Sequence, residues 1–105
     1  NWPISQAIFL PLKSQLGMNF PNPFNPETII PFILSDNAGF VDINVYNSAG
    51  QLVRELLSQV KMNAGRYKQI WDGRDQSGRR VSSGVYIVEL RTQEAILIRR
   101  IALLK

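Results

Sequence analysis

The chain has 105 residues, 45% hydrophobic and 10% aromatic, with a net charge of +4 and a pI near 9.9. That suffices for one sizeable core and argues against disorder along the whole chain. Having neither Cys nor His, it lacks disulfides, thiolate nucleophiles, the commonest general base and the commonest transition-metal ligand.

Residues 1 to 15 read as a linker, or an extra strand through Ile8, Leu10 and Leu12, arriving from an upstream domain. Asn1 in place of a Met suggests a piece cut from something longer. The stretch "NFPNPFNPETII", residues 19 to 30, carries three prolines and three asparagines around Phe24. Proline fixes φ, removes a donor and keeps its predecessor out of the α region, so no helix crosses here. Asn22 and Asn25 are expected to fold onto nearby backbone in Asx turns, making a rigid loop. Phe24 is expected to tuck under the body while Pro23 and Pro26 set the approach to the next strand. A binding loop is the competing reading.

"TIIPFIL" puts Ile30, Phe32 and Leu34 on one face, and its Pro31 predicts an edge strand. "FVDINVY" alternates Val41, Ile43 and Val45 against Asp42 and Asn44. "NSAG" is a turn with Gly50 available for positive φ. "QLVRELL" follows as the antiparallel partner, with a helix over 52 to 60 as competitor. "RYKQIW" places Tyr67, Gln69 and Trp71 together. "DGRDQSGRRVSSG" is a polar loop. "VYIVELRT" alternates Tyr86, Val88 and Leu90 against Val85, Ile87, Glu89 and Arg91. "AILIRRIALLK" is apolar on both phases except at Arg99 and Arg100, which predicts a bulge or a strand covered on both faces. About seven strands at ten-residue spacing predict an all-β, antiparallel immunoglobulin- or fibronectin-III-like sandwich over residues 16 to 105. No apolar run approaches the roughly 20 residues of a membrane helix.

In "WDGRDQSGRR", Asp72 and Asp75 fit turn caps better than a calcium loop, because Arg74 puts a cation where an oxygen ligand would belong. Trp71 fits a core position better than a sugar platform. Arg99, Arg100 and Lys105 gather near one terminus, either as a solvated guard on an edge strand or as a contact for an acidic partner. The basic residues are scattered, which argues against nucleic acid.

Four blocks in order, "NFPNPFNPET", "VDINVYNSAGQLVRELL", "AGRYKQIWDGRDQSGRRVSSGVYIVELRT" and "RRIALLK", resemble the type A C-terminal sorting domain of the type IX secretion system. The same pattern is similar to the immunoglobulin-like family named after the flagellar hook-capping protein. The resemblance covers about residues 16 to 105. Its structural signature falls on Asn22, Pro23, Phe24, Asn25, Pro26, Trp71, Asp72 and Gly73. It implies an address on large secreted proteins of Bacteroidetes and related bacteria, carrying an upstream cargo across the outer membrane to the cell surface. The implied partners are the outer-membrane secretion machinery, a sortase-like peptidase that removes the domain, and the upstream domain of the same chain. No cofactor, metal, membrane insertion or catalytic residue is implied, and a monomer is expected.

Carried over by position, recognition falls on Gly84, Val85 and Tyr86 and on Arg99, Arg100, Leu103, Leu104 and Lys105. The family usually has Lys and a bulky residue where this chain has Arg100 and Ile101, which keeps charge and bulk. An exposed final strand is expected to offer backbone to a receptor, with the terminal cations meeting acidic groups. The rivals are a carbohydrate-binding or spacer module of a polysaccharide-degrading enzyme, which needs exposed aromatics, and a structural domain of a hook-cap assembly. An enzyme is the poorest reading, since nothing forms an activated nucleophile or an acid and base pair.

Overall fold

A computed structural model describes residues 13 to 24 and 26 to 104. Its strands are β1 (Gln15–Leu16), β2 (Thr28–Leu34), β3 (Phe40–Asn47), β4 (Leu52–Lys61), β5 (Gly65–Trp71), β6 (Gly84–Arg91) and β7 (Ile96–Leu103). They form two antiparallel sheets, ordered β1-β2-β5 and β4-β3-β6-β7. The period of two in each strand decides which side chains enter the space between the sheets. Ile30, Phe32 and Leu34 from β2 meet Val41, Ile43 and Val45 from β3 and Tyr86, Val88 and Leu90 from β6, all buried. The architecture is an immunoglobulin-like β-sandwich, as the alternation predicts. Among the described residues no helix is long and apolar enough to cross a membrane.

Two local expectations need correction. Pro31 does not mark an edge: β2 lies between β1 and β5. The proline is tolerated because its ring nitrogen faces the β1 side, where the short β1 has already ended and Gly17 N–H donates to the Pro31 carbonyl (2.9 Å). Its side toward Lys68 of β5 keeps register because an antiparallel residue directs both backbone groups the same way. The last strand is neither bulged nor covered on both faces. β7 pairs with β6 in unbroken register, and Ile96 and Ile98 stand exposed. The irregularities lie between β3 and β4, where register shifts break the ladder at three places, and Gln59 has φ +51°. Residues 52 to 60 are strand, not helix.

The body also begins before residue 16. Ser14 is buried and its hydroxyl bonds Glu94 Oε1 (3.3 Å) and the Ser35 N–H (3.1 Å). Ser35 Oγ bonds the same Glu94 oxygen, so the turn between β6 and β7 is tied to both ends of the β1–β2 hairpin. The expected strand through Ile8, Leu10 and Leu12 lies outside the described residues.

Candidate functional site

Phe24, Pro26, Trp71 and Gly73 of the signature, far apart in sequence, come together with Tyr86 in one packed unit. Phe24 is 1% exposed and Trp71 fully buried, their ring centroids 5.5 Å apart. Tyr86 meets Trp71 edge-on at 5.3 Å. Such tilted aromatic arrangements exploit the ring quadrupoles in addition to burying area. Trp71 Nε1–H donates to the Arg74 carbonyl (2.9 Å), so the indole satisfies its polar atom at the rim of the core. Asp72 Oδ1 accepts the Arg74 N–H (3.1 Å) and pairs with Arg54 (3.1 Å). Gly73 has φ +75°, and a Cβ there would lie 2.8 Å from the Pro26 carbonyl oxygen. The glycine is therefore required twice, by its backbone conformation and by the loop that rests on it.

Asp75 Oδ1 accepts the Ser77 hydroxyl (2.7 Å) and the N–H groups of Ser77 and Arg79 (both 3.0 Å). These bonds, first from the Ser77 hydroxyl and then from the Arg79 backbone, hold its carboxyl below the usual aspartate value. Both aspartates thus cap backbone, as their spacing predicts.

Asn22 behaves differently from expectation. Among the described residues its side chain makes no local Asx turn; Oδ1 accepts the N–H of Ala102 (3.3 Å), 80 residues away. Phe24 N–H donates to the Ala102 carbonyl and Leu104 N–H to the Phe24 carbonyl (both 3.0 Å). Phe24 lies in a parallel bridge to Leu103. The asparagine and proline loop therefore acts as a latch along the C-terminal half of the β7 edge. The final strand does not offer its whole edge to a receptor, because residues 102 to 104 are already paired within the chain.

The structure divides the expected recognition residues. Tyr86 is buried, and its hydroxyl donates to the Ser82 carbonyl (2.6 Å). This is the tyrosine corner of immunoglobulin-like sandwiches, formed at the start of β6. Leu103 is also buried. Gly84, Val85, Arg100 and Leu104 are exposed. Val85 lies beside Ala102, and Ile87 beside Arg100, in the β6–β7 register, so Val85 and Arg100 share the outer face of the four-stranded sheet. Arg99 points the other way, its Nε–H donating to the Leu16 carbonyl of β1 (2.8 Å). Asn25 and Lys105 lie outside the described residues. The alternation of β6 already signals that Tyr86 faces in, whereas nothing in sequence signals the pairing of Asn22 with Ala102.

A family model described as "FlgD Ig-like domain" matches residues 22–95. The chain belongs to the FlgD Ig-like domain family. The match begins at the latch and spans the aromatic cluster, so the family pattern coincides with the packed unit described above. Two solved structures from Porphyromonas gingivalis share the fold. One is PorZ, described as an essential bacterial surface component of the type-IX secretion system (21% identity, TM-score 0.57, covering 84% of this chain and 11% of PorZ). The other is dimeric latent PorU (15% identity, TM-score 0.64, covering 87% of this chain and 9% of PorU). The chain thus spans about a tenth of each. Among curated proteins, no match was found.

Proposed function

We propose that this FlgD Ig-like domain is a non-catalytic sorting domain that directs an upstream cargo across the outer membrane to the cell surface. One observation carries the reading: the latch bonds from Asn22 and Phe24 to residues 102 to 104 hold the C-terminal strand in a fixed shape. That strand keeps Arg100 exposed on the outer face it shares with Val85, and Leu104 is exposed immediately after it. Secretion machinery then reads a preformed surface and need not order a loose tail, which saves ordering entropy on binding. The fold shared with PorZ, described as a type-IX secretion surface component, supports this setting. A sortase-like peptidase is the proposed partner in release.

The test is export of a reporter fused upstream of the full chain. Deleting the last seven residues removes the buried Ile101 and Leu103 and would confound sorting with folding. The informative variant is Arg100→Glu with Leu104→Ser, both at exposed positions. Its thermal midpoint should stay near wild type while surface export falls about tenfold, a loss of roughly 1.4 kcal/mol in recognition. Undiminished export of this folded variant would sink the proposal. The carbohydrate-module rival gains nothing from its candidate rings, since Trp71 and Tyr86 are buried and Tyr67 is partly so.

A further inference from the structure

The strands at the sheet margins are unequally guarded. A margin presents unpaired N–H and C=O groups, and proteins blunt it with charges, bulges or very short strands. β4 has three register shifts and the Gln59 distortion. β5 carries exposed Arg66 and Lys68, and β1 has two residues. β7 is straight against β6, and the latch covers only its C-terminal half. Its other half carries Ile96 and Ile98, 53% and 59% exposed, before Arg100 is reached.

Backbone direction there follows from the latch. Ala102 turns its N–H and C=O outward to meet Asn22 and Phe24. Ile98 and Arg100 precede it by four and two residues, so period two points their backbone groups the same way. Among the described residues no bond outside the β6–β7 ladder reaches those groups. Beside this half-edge lies a cleft of about 1000 Å³ between β1 and β7. Leu16, Phe32, Tyr67 and Leu97 supply apolar lining, Lys13 and Lys68 supply charge, and no described lining residue is acidic.

We infer that residues 96 to 100 of β7 accept an extended segment of a partner protein as an added strand. The segment has aliphatic side chains at alternate positions, directed to the cleft, and carboxylates between them for Arg100 on the outer face of the sheet. The inference rests on the sorting reading for where the partner comes from; the mode of binding rests on the edge geometry. The chain itself shows that mode, since Phe24 already pairs in parallel with the other half of the edge. Strand addition draws affinity from backbone bonds and specificity from alternate side chains.

The test uses the full chain and a synthetic peptide of alternating Val and Glu, with amide exchange read residue by residue. In the free chain the Ile98 and Arg100 amides should exchange about tenfold or more faster than the latched Leu104 amide. Excess peptide should slow both by about tenfold, while a peptide with Lys in place of Glu should not. Ile98→Pro removes an outward donor that the β6 ladder does not use. It should keep Leu97 and Ile101 protected yet abolish the peptide effect at Arg100. Four results would overturn the inference: slow exchange of Ile98 and Arg100 in the free chain, meaning that a second copy or the chain's own residues occupy the edge; no peptide effect; protection at another edge; or undiminished binding to Ile98→Pro. If the peptide protects this edge but the wild-type fusion is not exported, the sorting reading fails and the edge assignment stands. If export proceeds without peptide protection, the edge assignment alone fails.

Discussion

On the sorting proposal, Phe24→Ala should separate the folding of this domain from its recognition. The ring is 1% exposed and packs 5.5 Å from Trp71, while the backbone of Phe24 makes two latch bonds that survive truncation of the side chain. Removing a fully buried phenyl group costs about 3 to 5 kcal/mol, depending on how far the site collapses. The ring here stands on a loop pinned by Pro26 against Gly73, which limits collapse and points to about 4 kcal/mol. A small domain has only about 5 to 15 kcal/mol in total, so the thermal midpoint should fall by roughly 20 °C. Urea unfolding followed by circular dichroism measures the loss, and Phe24→Leu should show about half of it. A loss below about 1 kcal/mol would refute the anchor role. Under conditions where the variant is folded, export should match wild type; a folded variant that no longer sorts its cargo would show that the loop itself is read.

Tyr86→Phe removes the bond to the Ser82 carbonyl and should cost about 1 kcal/mol in urea unfolding; an unchanged midpoint would deny the tyrosine corner a role in stability. Gly73→Ala must accommodate φ +75° and a carbonyl at 2.8 Å, and should lose about 2 kcal/mol or more; full stability would show that the Pro26 loop moves aside freely. The Asp75 carboxyl, held low by Ser77 and Arg79, adds stability that is complete above its unfolded value near 3.8 and disappears as pH falls through its lower folded value. Asp75→Asn should flatten that part of the acid unfolding curve, and an identical curve would mean that the loop bonds do not contribute.

The strand faces were legible because alternation needs only neighbouring residues: Val41, Ile43 and Val45 point inward wherever β3 lies in the sheet. The same logic identified the turn at Gly50 and the caps at Asp72 and Asp75, which are local hydrogen-bonding choices. Pro31 misled for the same reason. A missing donor announces an unpaired side, but it does not say whether a neighbouring strand has merely ended there, as β1 does at Gly17. Ile96 and Ile98 misled as well, since an apolar residue reads as covered unless the sheet order is known.

The sequence by itself determined the all-β class, the inward set of each strand and the unit that Phe24 anchors, since periodicity and proline chemistry act over a few residues. Only the tertiary structure decided which strands are neighbours, that Asn22 reaches Ala102, and which part of the last strand the latch covers. Those outcomes depend on contacts between residues some 80 positions apart. Their register is set by how the two sheets close over a common core, a property that no local window of the chain contains.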